Sequence, residues 1–154
     1  MDATDRRADA DATIAEPLKL HAGIDLEQAR SATLKPMGPR TNATSGVPVE
    51  SKLVLYADRH TEIGIWEVTP GTFPASKQDV CELMQFISGS GCIVDDAGTT
   101  TEIGPGTVMF QPDGWVGTWV VNETVRKTYA LHRTRSRLHH GFRLVVSRGL
   151  RGRR

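Results

Sequence analysis

Residues 104–129, GPGTVMFQPDGWVGTWVVNETVRKTY, decide the fold. Glycines, a proline and two tryptophans interrupt short runs of apolar and β-branched residues, so no run is long enough for an ordinary helix. Glycine and proline at this density mark turns, and the valine, threonine and aromatic residues between them favour strands. The stretch therefore predicts short β-strands joined by tight turns.

The same pattern begins at Ser51 and continues to the end of this stretch. The predicted strands are 51–57, 61–69, 80–88, 91–95, 99–103, 107–111, 117–121 and 125–131. Turn residues separate them at intervals of about 8 to 12 residues, which is typical of an all-β barrel or sandwich. Residues 88–91 (SGSG) and 95–98 (DDAG) are predicted to be hairpin connections, because glycine supplies the positive φ that tight turns need.

The N-terminal part does not share this pattern. Residues 1–23 are rich in Ala, Asp and Arg without a sustained period, which predicts a disordered leader. Asp25 is placed to cap a short helix that runs to Arg30. Residues 36–48 contain three prolines and two glycines, and we expect an extended surface connector there.

Length and charge limit the function classes. A chain of 154 residues with 38% hydrophobic content suits one core. No apolar run approaches the roughly 20 residues that span a bilayer, and no signal sequence is evident, so we predict a soluble, cytoplasmic protein without a membrane partner. Residues 1–131 hold 11 basic and 18 acidic side chains, whereas residues 132–154 hold eight arginines and no acid. An acidic body argues against nucleic acid as its ligand, and the Arg-rich tail is predicted to be disordered.

Alternation along the predicted strand 80–87 places two sets of side chains on opposite faces. One face carries Val80, Glu82, Met84 and Phe86, and the other carries Cys81, Leu83, Gln85 and Ile87. Both faces are largely apolar. This predicts a barrel interior on one side and a second layer, such as a partner subunit, on the other.

Three stretches resemble the cupin superfamily: WEVTPGTF (66–73), DVCELMQFISGSG (79–91) and residues 104–129. Gly106, Pro112 and Gly114 keep the G-x5-P-x-G spacing of the second cupin signature. The pairing of G-W-x-G-x-W with R-K-x-Y resembles, more narrowly, the DUF861 group related to the cupin domain of (S)-ureidoglycine aminohydrolase.

The resemblance covers about residues 38–131. It implies an all-β, single-domain cupin jelly-roll barrel with a ligand at its mouth, usually built as a homodimer. Residues 1–37 would be a leader and connector, and residues 132–154 an added basic tail.

The resemblance also indicates where a metal would bind. Metal-binding cupins use two histidines and a glutamate from the first motif and one histidine from the second. Glu82 fits the glutamate, but the last histidine position is Gly117. The two upstream positions are held by Ala75 and Lys77 or, with another gap, by Ser76 and Gln78. Residues 61–131 contain no histidine, so we predict no metal or other cofactor, with a divalent metal as the alternative.

A carboxylate inside the barrel must be protonated, hydrated or paired, and Lys77 and Lys127 are the candidate partners of Glu82. Lys127 and Tyr129 share one face of the last strand, so a cluster of Glu82, Lys127 and Tyr129 would hold a small polar or anionic ligand or transfer protons. The alternative is a structural ion pair beside a satisfied tyrosine. Trp119 is expected on the face of Gly117, where it either fills the cavity or forms an apolar wall, and the same alternatives hold for Trp66.

The leading hypothesis is a metal-poor DUF861-type cupin that binds a small polar metabolite in the barrel mouth. Its predicted ligand-binding residues are Glu82, Lys127, Tyr129, Trp66, Trp119 and Lys77. The alternatives are a metal-dependent aminohydrolase or deaminase resembling (S)-ureidoglycine aminohydrolase, and a non-catalytic structural or regulatory dimer. The sequence leaves open whether the protein is an enzyme.

Overall fold

One short helix and nine strands follow one another in residues 23–134, the part of the chain that the computed structural model describes. They are α1 (Leu26–Ser31), β1 (Lys35–Pro39), β2 (Ser45–Gly46), β3 (Val49–Ala57), β4 (Thr61–Val68), β5 (Gly71–Ser76), β6 (Val80–Asp95), β7 (Thr100–Ile103), β8 (Val108–Gln111) and β9 (Val116–Arg133). The predicted all-β fold is confirmed. The leader 1–22 and the tail from 135 onward lie outside the described residues, and the predicted boundary at 132 falls inside β9.

β9 is the strand around which the sheet is built. One side of β9 pairs with β6 along nearly its whole length, and the other pairs first with β5 and then with β4, always antiparallel. The sheet follows the order β1-β3-β4-β9-β5-β2, and β6 also pairs with β7 and β8. Because the two long strands pass from one set of partners to another, the sheet curls and encloses one of its faces.

The predicted hairpin at residues 88–91 is wrong. These residues lie inside β6, where the pairing with β9 shifts register between Phe86 and Gly91. Gly89 has φ 85°, and a Cβ atom there would collide with the carbonyl oxygen of Thr124. The glycine therefore supports a bulge that bends a continuous strand against its neighbour, rather than a chain reversal. The second predicted hairpin, at residues 95–98, does join β6 to β7, and its Gly98 amide donates to Asp95.

The predicted connector at residues 36–48 contains two strands. β1 pairs with β3 and β2 pairs with β5. Both lie at the ends of the sheet order, where proline is tolerated because one side of an edge strand needs no amide donor. The predicted helix is confirmed: the Asp25 side chain accepts a hydrogen bond from the Gln28 amide at 2.8 Å, and the Gln28 side chain accepts one from the Asp25 amide at 2.9 Å.

The enclosed face of the sheet holds the main core, formed by Val68, Phe73, Met84, Phe86, Ile93, Ile103, Trp119, Val121, Val125 and Tyr129. A smaller cluster on the outer face joins Ala29 of α1 to Ile65 and Ile87. The second layer predicted over the strand is therefore the chain's own helix at Ile87. Elsewhere residues 23–134 do not supply the predicted cover, and Leu83 on the same outer face is 50% exposed.

Helices of residues 23–134 fall short of the length and apolar character needed to cross a bilayer. The predicted cellular location stays a prediction.

Candidate functional site

Three rows of side chains cross the enclosed face from strand to strand. The first row is Glu62, Leu131, Glu82 and Gln111; the second is Gly64, Tyr129, Met84 and Met109; the third is Lys52, Trp66, Lys127 and Phe86. Directly opposite residues of an antiparallel pair point to the same side, so the register brings charged, aromatic and apolar groups together inside the curled sheet.

Glu82 is the centre of a buried charged cluster. The Lys127 Nζ donates to Glu82 Oε1 at 2.6 Å, and the Lys77 Nζ pairs with Glu82 Oε2. Glu82 and Lys127 are each only 4% exposed. Both carboxylate oxygens therefore have an ammonium partner, which removes the cost of an unpaired charge in this interior. The two lysines predicted as partners of Glu82 are both in contact with it.

The cluster shifts the pKa values of its members. Burial raises the pKa of Glu82, but Lys127 and then Lys77 outweigh this effect and hold the pKa below its ordinary value of 4.5. Burial lowers the pKa of Lys127 to about 8, although Glu82 pulls it upward. Glu82 is thus ionised at neutral pH, while Lys127 lies within reach of deprotonation.

Aromatic rings form the wall beside Lys127. Its Nζ lies 4.8 Å from the Trp66 ring centroid and 4.9 Å from that of Trp119. The two indoles meet edge to face at 5.6 Å, and Phe73 stacks on Trp119 at 6.1 Å. Trp119 is 3% exposed, so it both fills the interior and presents its ring to the lysine.

Tyr129 does not join Glu82, contrary to the predicted cluster. Its hydroxyl donates to Glu62 Oε1 at 2.7 Å, and Lys52 pairs with the same oxygen at 3.2 Å. The reason is the register: Tyr129 lies opposite Gly64, whose missing side chain leaves room for the ring to lean toward β4. Burial and then the bond to Glu62 raise the pKa of Tyr129. The hydrogen bond from Tyr129 in turn lowers the pKa of Glu62.

A cavity of about 190 Å³ opens beside these groups. Its polar wall consists of Arg40, Glu50, Lys52, Glu62, Lys77, Glu82, Lys127 and Tyr129, and its apolar wall includes Trp66, Phe73, Trp119 and Leu131. All six residues predicted to bind a ligand line this one cavity. A concave apolar surface with a few convergent polar groups is typical of a small-molecule site.

The residues present do not fit the metal that cupins commonly hold. Both oxygens of Glu82 are paired with ammonium groups, so positive charge already stands where a cation would coordinate. A Cβ atom on Gly117, the fourth ligand position, would lie 2.5 Å from Cζ2 of Trp115, whose indole covers that position. Residues 23–134 also contain no group of three or more His, Cys, Asp or Glu placed to hold a metal ion.

Sequence reasoning missed several polar groups of the cavity. Glu62 alternates with Trp66 on β4, so the period of two could have placed it on the inner face. Arg40 pairs with Glu50 at 2.6 Å, and its guanidinium lies 4.2 Å from the Phe73 ring centroid. Arg40 lies in the segment predicted to be a connector, and no local sequence pattern indicates that it belongs to the cavity wall. Gln111, opposite Glu82 and 1% exposed, has a side-chain oxygen without a partner among the described residues.

This barrel and its motifs define a cupin domain. More narrowly, residues 55–129 match the family model of the EutQ-like cupin domain. The resemblance to cupins of the DUF861 type is thereby confirmed, with the solved structures in support. A search of the curated proteins found no match.

Solved structures share the fold. A DUF861 family protein of unknown function from Pseudomonas syringae is 27% identical with a TM-score of 0.60, and the match covers 66% of this chain and 45% of that one. The Clostridium difficile EutQ protein is 21% identical with a TM-score of 0.50, covering 58% and 71%. The polyketide cyclase RemF from Streptomyces resistomycificus is 23% identical with a TM-score of 0.52, covering 66% and 75%. This chain thus spans less than half of the Pseudomonas protein.

Proposed function

We propose that this cupin domain binds a small polar metabolite in its barrel cavity without the help of a metal ion. The observation that carries the proposal is the Glu82 carboxylate, held between Lys127 and Lys77 at the wall of a cavity that Trp66 and Trp119 also line. A purely structural ion pair would need no adjoining cavity. At about 190 Å³, the cavity suits a compound smaller than a typical drug.

A thermal-shift screen of small polar metabolites tests the proposal. A ligand at about 100 times its Kd stabilises the native state by about 2.7 kcal/mol, which raises the Tm of a domain of this size by roughly 10 °C. We expect this shift to vanish in Glu82→Gln and in Lys127→Met. Lys35→Met, which changes an exposed lysine on β1 that is not part of the cavity wall, should keep this shift. A shift that survives in both cavity variants would place the ligand elsewhere and refute the proposed site.

The metal-dependent aminohydrolase remains the alternative function. Elemental analysis of the purified protein distinguishes the two, because the proposed site needs no metal. Stoichiometric Mn, Fe, Zn or Ni would overturn the metal-free proposal in favour of an enzyme of the ureidoglycine aminohydrolase type.

A homodimer is the partner we propose. Exposed apolar side chains support it: Phe110 and Val108 of β8 are 58% and 62% exposed, and they adjoin Leu83 on the outer face of the sheet. Apolar side chains grouped on a sheet face favour burial by a second subunit.

A further inference from the structure

The buried cluster carries one more positive than negative charge, because Glu82 is shared by two lysines. The Lys127 side chain is 5% exposed and the Lys77 side chain 16%. Burial destabilises the charged form of a lysine, so the deep burial of Lys127 lowers the free energy that is needed to remove its proton. When it does, Glu82 stays paired with Lys77 and no buried charge is left alone. The cluster therefore tolerates a neutral amine at Lys127.

The surroundings of this amine are those of a nucleophile. The Lys127 Nζ lies 3.5 Å from the Met84 sulfur and faces the rings of Trp66 and Trp119. With its pKa at about 8, roughly one molecule in ten has the neutral amine at pH 7, against about one in 2,500 for an ordinary lysine. Desolvation in an apolar pocket is a general way to activate a lysine toward carbonyl compounds.

We propose that Lys127 forms a Schiff base with a short hydroxylated aldehyde or ketone held in the barrel cavity. This inference rests on the proposed ligand site and specifies the chemistry of its ligand. The Nζ lone pair attacks the carbonyl carbon, and the electron pair of the C=O bond moves to oxygen, which takes up a proton. The first proton is the one that the ammonium group released, and the attacking nitrogen gives up a second one to the same oxygen, which leaves as water when the C=N bond forms. An ammonium group and a carbonyl compound thus give an iminium ion and water, without an oxidant or a reductant, and Glu82 remains the counter-ion of the iminium.

The size and polarity of the cavity define the ligand further. The volume of about 190 Å³ lies below the roughly 300–1,000 Å³ of typical small-molecule pockets, which favours a compound smaller than a drug. The cavity wall also presents two ion pairs, Arg40 with Glu50 and Lys52 with Glu62. Such pairs offer donors and acceptors together, and they match hydroxyl groups better than a second net charge.

Reductive trapping tests the proposal. The full chain is incubated with dihydroxyacetone and sodium cyanoborohydride, and the products are analysed by intact mass and peptide mapping. A trapped adduct adds the mass of the probe less one oxygen atom. We expect adduct formation at Lys127 at least ten times faster than at the exposed Lys35 at pH 7. In Lys127→Met that adduct should be absent, while labelling of Lys35 is unchanged.

The pH dependence gives a readout that a merely accessible lysine would not share. The charged groups facing Lys127 are Glu82 of β6, Lys77 after β5 and Glu50 of β3, and together with burial they leave its pKa at about 8. From pH 7 to pH 9 its amine fraction rises about tenfold, against about 100-fold for an ordinary lysine. The ratio of Lys127 labelling to the labelling of an added Nα-acetyl-lysine amide standard should therefore fall about tenfold over this range, and the ratio cancels any change in the reductant.

Three outcomes would overturn the Schiff base: labelling of Lys127 no faster than Lys35, labelling of Lys77 in its place, or a labelling ratio that does not change with pH. Peptide mapping of the wild-type chain gives these results even if Lys127→Met fails to fold. A ligand from the thermal-shift screen whose effect requires Lys127, combined with no trapped adduct, would refute the Schiff base and leave the proposed binding site standing.

Discussion

Glu82→Gln removes one negative charge from between two lysines and keeps the size of the side chain. Lys127 and Lys77 then share a buried cavity wall without their common counter-ion. Removing one partner of a buried ion pair costs about 3–5 kcal/mol, and this pair belongs to that class because both side chains are 5% exposed. Lys127 can relieve part of the cost by losing its proton. We therefore expect the free energy of unfolding to fall by about 3 kcal/mol at pH 7.

The loss of stability in Glu82→Gln should become smaller as the pH rises. In the native protein the pKa of Lys127 is lowered to about 8, so above pH 8 the unfolded chain binds more protons than the native state and stability rises with pH. In Glu82→Gln the native pKa of Lys127 lies lower still, because the attraction of Glu82 is gone. The variant has then already released this proton at pH 7, whereas the wild type releases it near pH 8. The difference in stability should shrink by about 1 kcal/mol between pH 7 and pH 9.

Urea unfolding followed by tryptophan fluorescence at pH 7 and pH 9 measures both quantities. The matched control is Glu27→Gln, which breaks an ion pair with Arg30 that lies at the surface, where Glu27 is 82% exposed. It should change the free energy of unfolding by less than about 1 kcal/mol at either pH. A loss in Glu82→Gln no larger than in this control, or one that grows with pH, would refute the account of the buried cluster.

Three further experiments test other parts of the structure. Gly89→Ala should lower the free energy of unfolding, measured with urea, by more than about 2 kcal/mol. Gly98→Ala should lower it by only about 1 kcal/mol, because Gly98 has nearly the same positive φ but open space around it. Equal losses would contradict the close approach at the bulge. Gly117→His should lower the Tm and bind no stoichiometric metal by elemental analysis, because an indole covers that position; a stable, metal-loaded variant would show that the site fits a cation after all. Leu83→Glu with Phe110→Glu should halve the mass measured by light scattering and leave the Tm of the monomer nearly unchanged; an unchanged mass would rule out this face as the dimer surface.

The inner face of the barrel could be predicted because its signal is local. Alternation alone placed Glu82, Met84 and Phe86 together on one strand and Lys127 with Tyr129 on another, and the structure has both sets inward. A period of two is a property of each strand by itself, so it needs no knowledge of the partner strand. The residues predicted for the site therefore meet in one cavity.

Features that depend on pairing between distant strands could not be predicted. The SGSG segment has the composition of a hairpin, and only the continuous pairing of β6 with β9 makes it a bulge. Tyr129 bonds to Glu62 because the register sets it opposite Gly64, and register follows from the whole sheet. Helix α1 covers Ile87 through a contact between residues far apart in the chain. In each case the local sequence allows more than one structure, and contacts between residues far apart in the chain decide which one forms.

β9 follows all of its partner strands along the chain, and this order has a consequence for biosynthesis. β4, β5 and β6 all pair with this strand, which also supplies Lys127 and Trp119. A nascent chain that has not yet released residues 116–133 from the ribosome exposes three strands with unpaired edges, which invites aggregation or chaperone binding. The cavity can therefore form only after β9 has paired with these strands, because Lys127, Trp119 and Tyr129 of β9 belong to its wall.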